Sequence, residues 1–169
     1  MNGEPDRGET GEYYAQITLV VRDHAPLLAR PQLARAAFEA VRAAAPEAPG
    51  RLWGALVLPA LVRLIAGPAD DAGLDVFAAS VKARAAAHVL AQIRRAGDDA
   101  LDLVLRYSPV WGGAIYRVWQ DGYHRQALWS EYRLSNALYA LARLPVEAGL
   151  AHAPGDWPWL WIGGGERWP

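Results

Sequence analysis

Histidines, cysteines and serines carry most of the metal-binding and nucleophilic chemistry of proteins. The chain has no cysteine, which excludes disulfides, thiolate zinc sites, iron–sulfur clusters and thiol catalysis. The four histidines are scattered, and no two have the spacing of a metal-ligand pair: His24, His88, His124 and His152. The few serines lie outside any nucleophile-elbow context, and no catalytic carboxylate pair is evident. These residues predict neither a hydrolase triad nor a histidine metal site.

Aromatic and basic residues alternate between Arg117 and Arg125 and indicate a different chemistry. Trp119, Tyr123 and His124 lie between the two arginines. Such interleaving suits a surface on which unpaired bases stack while cations contact phosphates. The alternative is that Trp119 belongs to the core and that its neighbours cover the edge of a sheet.

The C-terminal region is rich in tryptophan. The chain has eight tryptophans, which is unusual for its length. Trp157, Trp159 and Trp161 occupy alternate positions, so they would share one side of an extended segment. We expect this arm to pack its rings on the domain. If the rings were exposed, they would mark the docking surface of a protein partner.

The composition is that of one folded domain. The chain has 169 residues and a mass of 18.4 kDa. Hydrophobic residues make up 53% of the chain and charged residues 21%. A net charge of −1 argues against a broad polyanion-binding surface but permits a local basic patch. No apolar run approaches the roughly 20 residues that span a bilayer, and the polar, acidic start is not typical of a signal peptide. We therefore expect a cytoplasmic protein.

The first half of the chain alternates strand and helix patterns. Residues 13–22 are rich in β-branched and aromatic side chains and predict a strand. Pro31 is placed to open a helix that Pro46 bounds. Residues 51–65 are apolar, and Pro59 within them predicts two strands with a tight connection or a bulge near the proline. A second long helix, ended by Gly97, is predicted by an i+4 row of apolar residues: Phe77, Val81, Ala85, Val89 and Ile93.

The second half predicts fewer elements. Residues 98–107 predict one more short helix, and residues 114–128 predict a strand that runs into a loop. Ser130 is placed to cap a third long helix, which Pro145 closes, and an aromatic coil follows. The order β, α, β, β, α, β, α is typical of an α+β fold, the ferredoxin-like sandwich. The expected division is a disordered N-terminal tail over 1–12, one domain over 13–162 and a C-terminal tail over 163–169.

Several motifs match those of a known family. A Trp-Gln pair at residues 119–120 leads to a helix that ends in an x-Pro-Val-x-x-Gly turn at 144–149. An Asp-Trp-Pro-Trp motif follows at 156–159. These features resemble the C-terminal part of REP-associated tyrosine transposases, which belong to the HUH single-strand DNA transposases. Weaker similarity lies upstream, in the first loop and helix (20–41), a strand (57–65) and the second helix (77–84).

The resemblance implies a ferredoxin-like fold and a defined chemistry. In the family, a Leu/Met-Pro-x-His-x-His strand places two histidines on one face, because strand side chains alternate. The histidines hold a divalent metal such as Mg²⁺ or Mn²⁺, which polarises the scissile phosphate. A tyrosine on the late helix attacks and leaves a 5′-phosphotyrosine link.

This sequence departs from the family at each catalytic position. The two histidine positions hold Leu61 and Arg63, and neither side chain can ligate a metal. The family tyrosine lies five residues before the proline of the turn, and Ala140 occupies that place here. Tyr139 is adjacent, but one helical step rotates a side chain by about 100°. We therefore predict an inactive relative that has no metal cofactor.

The resemblance also implies a set of DNA contacts. Arg63 would supply the missing metal's charge and bind a phosphate, unless it pairs with an acidic neighbour or extends out of the sheet. Lys82 and Arg84 lie off the apolar row of the second helix, where the alternative to a DNA contact is a solvated face. The predicted DNA-binding set is Arg63, Lys82, Arg84, Trp119, Gln120 and Arg125.

The leading prediction is a transposase-like protein that binds single-stranded or stem-loop DNA and has lost strand cleavage. The second is an active tyrosine transposase with an atypical site, in which Tyr139 is the fallback nucleophile. The third is a protein-binding module that docks a partner through the tryptophan-rich C-terminus.

Overall fold

A computed structural model describes residues 11–99, 101, 105–107 and 115–163. Its strands are β1 (Tyr13–Val20), β2 (Leu52–Leu58), β3 (Leu61–Ala69), β4 (Arg106–Tyr107), β5 (Ile115–Tyr116), β6 (His124–Leu128) and β7 (Leu160–Ile162). Its long helices are α1 (Pro31–Ala44), α2 (Asp71–Arg95) and α3 (Glu131–Glu147). None of the described helices combines the length and the apolarity that a membrane crossing requires.

Five strands form one antiparallel sheet in the order β6-β1-β3-β2-β7. The two short strands β4 and β5 pair with each other. The predicted hairpin is confirmed, since β2 and β3 are joined by a tight turn at Pro59 and Ala60. An α+β fold is therefore present, with a long antiparallel sheet and helices on both of its faces.

Two of the three long helices, α1 and α3, begin where the sequence predicts. Pro31 is the first residue of α1, where a proline loses no helical hydrogen bond. The side chain of Asp70 accepts a hydrogen bond from the Gly73 amide at 2.8 Å and caps α2. The side chain of Ser130 likewise accepts from the Arg133 amide at 3.2 Å and caps α3.

Two apolar clusters lie on opposite faces of the sheet. The helices α1 and α2 cover one face, and the i+4 row of α2 is buried there as predicted. The helix α3 covers part of the other face, where Leu134 and Leu141 pack with Leu56 and Ile65. The alternation of β3 divides its side chains between these two clusters.

A glycine on β2 allows α3 to approach the sheet closely. A Cβ atom at Gly54 would lie 2.8 Å from Cδ2 of Leu141 and 3.1 Å from Cδ2 of Leu138. We expect Gly54→Ala to lower the free energy of unfolding by about 1–3 kcal/mol, because the added methyl overpacks this contact. Urea denaturation measures the change. Gly155→Ala is the matched control, since a Cβ there meets open space, and an equal loss in both variants would contradict the packing argument.

Three predictions about the second half of the chain are wrong. Pro145 does not close α3, because the helix continues to Glu147 with the proline in its last turn. Residues 115–128 hold two strands, and only β6 joins the large sheet. The aromatic coil contains β7, which pairs with β2.

The remaining boundary predictions fall partly outside the described residues. Within the predicted short helix of 98–107, Asp99, Leu101 and Leu105 are helical, and residues 100 and 102–104 are not described. Residues 1–10 of the N-terminal tail and 164–169 of the C-terminal tail also lie outside the description.

Candidate nucleic-acid interface

The two positions that replace the family histidines lie on the α3 side of the sheet. In β3, Val62 and Leu64 point into the cluster beneath α1 and α2. Leu61 packs in the opposite cluster, with α3. Because strand side chains alternate, Arg63 lies on the same side as Leu61.

Arg63 is a half-buried cation with a single polar neighbour among the described side chains. Its Nε donates a hydrogen bond to Oγ1 of Thr18 at 3.2 Å. Burial lowers the pKa of the guanidinium, and an arginine still stays protonated near neutral pH because its ordinary pKa is so high. No carboxylate of the described chain forms an ion pair with Arg63. One of the two alternatives predicted for this residue, an acidic partner, is thus not found among the described residues.

Four further polar side chains share this side of the sheet. Directly opposite residues of antiparallel strands project to the same face. Thr18 lies opposite both Arg63 and His124, and Gln16 lies opposite Gln126. The glutamine Nε2 of Gln16 is 3.4 Å from Oε1 of Gln126. We name this group the polar sheet face: Gln16, Thr18, Arg63, His124 and Gln126.

Three of these residues, Gln16, Thr18 and Gln126, were not predicted, and His124 was predicted only as a neighbour of the aromatic residues before β6. The pattern that locates them is the alternation of β1, whose odd-numbered residues from Tyr13 to Leu19 are all buried. The polar residues Gln16 and Thr18 must then lie on the other face. Their neighbours on β6 become visible only with the strand register, which no local pattern supplies.

The polar sheet face does not fit the divalent metal that the family resemblance implies. Neither the aliphatic side chain of Leu61 nor the guanidinium of Arg63 offers a lone pair to a metal. Among the described residues, no group of three or more histidine, aspartate or glutamate side chains converges on one point.

The helix positions predicted for catalysis lie away from the buried side of α3. Ala140 is exposed, and Tyr139 is 66% exposed. The Tyr139 hydroxyl accepts a hydrogen bond from Nη1 of Arg143 at 3.3 Å, and the guanidinium carbon lies 5.6 Å from the ring centroid. The fallback nucleophile therefore contacts its own helix.

Trp119 is a core residue, so the stacking role predicted for it gives way to the alternative. Its side chain is 7% exposed, and Nε1 donates to the Lys82 carbonyl at 2.9 Å. The Lys82 ammonium donates to the carbonyls of Gln120 at 2.8 Å and Gly122 at 2.7 Å. Burial lowers the pKa of Lys82, and Asp121 partly opposes this shift. Both side chains anchor the segment before β6 to α2.

The other two predicted DNA-binding arginines already have acidic partners. Arg84 forms an ion pair with Glu47. Arg125 lies opposite Ile17, which places it on the α2 side of the sheet. There its Nη2 lies 3.4 Å from Oδ2 of Asp71, and its Nη1 lies 3.3 Å from Oδ1 of Asp75.

Two tyrosines complete the network around Arg125. The hydroxyl of Tyr13 donates to Asp71, and the hydroxyl of Tyr123 donates to Asp75. Burial, followed by these hydrogen bonds to carboxylates, raises the pKa of Tyr13 to about 12 and that of Tyr123 to about 12. A raised tyrosine pKa stabilises the fold below pH 10, and that stabilisation is lost as the pH rises from 10 to 12.

We expect a double variant, Tyr13→Phe with Tyr123→Phe, to lose less stability than the native chain between pH 10 and pH 12. The reason is that it lacks the two phenols whose ionisation opposes folding in that range. Urea denaturation across the range measures the slope. Tyr132→Phe is the control, because that ring is 76% exposed, and it should keep the native slope. An unchanged slope in the double variant would refute the assignment.

The C-terminal tryptophans pack on the domain, as predicted, but not on one side. Trp159 and Trp161 pack on the cluster beneath α1 and α2, and Trp157 packs with the α3 cluster. Nε1 of Trp157 also donates to the Val57 carbonyl at 2.9 Å. All three rings are partly buried by the chain itself.

A solved structure has a similar arrangement of strands and helices. It is the structure of a REP-associated tyrosine transposase bound to a REP hairpin, and the two folds superpose with a TM-score of 0.56. The fold is transposase-like. The match covers 94% of this chain and 82% of the transposase chain, at 17% sequence identity. No protein-family model matches the sequence, and no curated protein matches it significantly.

Proposed function

We propose that this protein binds single-stranded or stem-loop DNA on the polar sheet face and does not cleave it by metal-dependent tyrosine chemistry. The observation that carries the proposal is Arg63, a half-buried cation without a carboxylate partner among the described residues. Its side chain lies on the face that α3 only partly covers. A guanidinium in this setting binds phosphate oxygens through charged hydrogen bonds.

The distribution of charge supports this surface in a chain of net charge −1. The described residues that share this side on β6, β1 and β3 include no aspartate or glutamate. Two carboxylates that contact β6, Asp71 and Asp75, pair with Arg125 on the opposite side of the sheet. A phosphate at Arg63 would therefore meet a cation and neutral hydrogen-bonding groups rather than a repelling charge.

The similar fold supports DNA as the ligand class, since the solved transposase is bound to a REP hairpin. We also propose that residues 13–162 form one ferredoxin-like domain. The strand order β6-β1-β3-β2 and the uniformly antiparallel pairing support this classification, and β7 extends the sheet by one edge strand.

The loss of cleavage rests on three substitutions that act together. Leu61 and Arg63 remove the metal ligands, and Ala140 removes the nucleophile. The exposed Tyr139, which contacts Arg143, offers no replacement beside the sheet.

The direct test is binding to a labelled DNA stem-loop with a single-stranded flank, followed by fluorescence anisotropy over a salt titration. Phosphate contacts release counterions, so affinity should fall linearly with the logarithm of salt concentration. Binding that is absent at low salt, or that is insensitive to salt, would overturn the proposal.

Cleavage is tested separately by incubating the protein with the same DNA and Mg²⁺ or Mn²⁺. We expect no covalent protein–DNA adduct on a denaturing gel. An adduct would show that the protein is an active enzyme, and its disappearance in Tyr139→Phe would assign the nucleophile.

A further inference from the structure

We infer that Gln16 and Gln126 contact an unpaired base beside the phosphate held by Arg63, so the polar sheet face selects single-stranded DNA by sequence. This inference rests on the proposed function and adds the part of the DNA that is recognised. Its basis is the juxtaposition of two glutamine amides with a guanidinium on one side of the sheet. Gln126 is exposed, Gln16 and Arg63 are half-buried, and Thr18 between the rows is buried.

The five residues form two adjacent rows across the strands. One row runs from His124 through Thr18 to Arg63, and the other pairs Gln126 with Gln16. Gln16 and Thr18 are two residues apart on β1, which separates the rows by roughly 7 Å along the strand. The distance from a phosphate to its own base or to the neighbouring base is comparable to this separation. A phosphate on the first row therefore places one of these two bases over the second row.

The glutamine amides are available to a ligand. Their mutual contact at 3.4 Å lies beyond the usual range for a strong hydrogen bond, and it is their sole hydrogen bond among the described side chains. Gln126 is exposed and Gln16 is half-buried. Each amide carries a donor and an acceptor side by side, which match the adjacent acceptor and donor on the edge of adenine.

The packing of α3 explains why the β6 end of these rows stays exposed. The helix packs chiefly on β2, and the cluster beneath it contains the aliphatic residues of β2 and β3. The next residue across the sheet from Gln16 is Ile65, which is fully buried in that cluster. The polar rows therefore adjoin the apolar contact of α3 and continue to the edge strand β6. A flexible single strand fits such an open strip, whereas a duplex hides its base-pairing edges.

The experiment uses one DNA stem-loop with four different flanks, oligo-dA, oligo-dC, oligo-dG and oligo-dT, and a stem-loop without a flank. We expect the full-length protein to bind the oligo-dA flank about tenfold more tightly than the weakest flank. Gln16→Ala and Gln126→Ala should each reduce that preference to within about twofold. Gln32→Ala, on the exposed surface of α1, is the matched control and should retain the preference.

The outcomes separate this inference from the proposed function. If salt-dependent binding requires Arg63 but neither glutamine variant changes the affinity for any of the flanks, the base contact is refuted and the proposed function stands. If the protein binds none of the probes, both fail. A preference for oligo-dA that persists in Gln16→Ala, Gln126→Ala and the double variant would also refute the base contact. Thermal unfolding of each variant excludes a folding defect as the cause.

Discussion

Replacing Arg63 with methionine should weaken binding to a flanked DNA stem-loop about 10- to 100-fold. Methionine keeps much of the aliphatic part of the side chain but removes the positive charge and the hydrogen-bond donors of the guanidinium. A hydrogen bond to a charged group contributes more than a neutral one, and here no described carboxylate competes for the guanidinium. The slope of log affinity against log salt concentration should become shallower by about one unit, because one phosphate contact is lost. Arg63→Glu should weaken binding further, because it places a negative charge opposite the phosphate.

The control for Arg63 is Arg84→Gln on α2. Arg84 is also a predicted DNA contact, yet its charge is already paired with Glu47. This variant should bind the stem-loop within about twofold of the native chain, with the native salt slope. Native affinity and slope in Arg63→Met would remove Arg63 from the interface, and an equal loss in both variants would point to overall charge rather than a site.

Replacing Trp119 with alanine should lower the free energy of unfolding by about 3–5 kcal/mol. The indole is 7% exposed, and its loss leaves a cavity between α2 and the segment before β6. Trp119→Phe keeps most of the ring but leaves the Lys82 carbonyl without its indole donor, which should cost about 1–3 kcal/mol. Urea denaturation checks both values.

The DNA affinity of Trp119→Phe distinguishes a core role from a stacking role. A folded Trp119→Phe protein should bind the stem-loop as the native chain does, since the ring does not face the ligand. Tyr132→Ala, at a side chain that is 76% exposed, should change stability by less than about 0.5 kcal/mol. A DNA-binding defect in Trp119→Phe without a stability defect would restore the stacking interpretation.

Elements that depend on local chemistry could be predicted from the sequence. The start of α1 at Pro31 and the cap of α3 at Ser130 involve contacts within a few residues. The row of apolar residues on α2 follows from helical geometry alone. The predicted end of α3 was wrong. A proline in the last turn removes a single amide hydrogen bond, and the helix tolerates that loss there.

The candidate site could be predicted only in part, because charge and aromaticity do not reveal their partners. Trp119 and Lys82 are 37 residues apart, and the hydrogen bond from the Trp119 indole to the Lys82 carbonyl depends on the tertiary fold. Arg125 is 50 residues from Asp75. Arg63 was identified through its place in a family motif, whereas Gln16 and Gln126 needed the register of β1 with β6.

The late position of β7 has a consequence for how the protein emerges from the ribosome. The edge of β2 is covered by β7, and the Trp157 indole bonds the Val57 carbonyl from 100 residues away. During synthesis, β2 is complete long before its neighbour exists, so an apolar strand edge stays unpaired while the intervening hundred residues are made. Unpaired edges invite association between nascent chains. We expect translational pausing before residue 157 to favour aggregation, and a chaperone that shields β2 to prevent it.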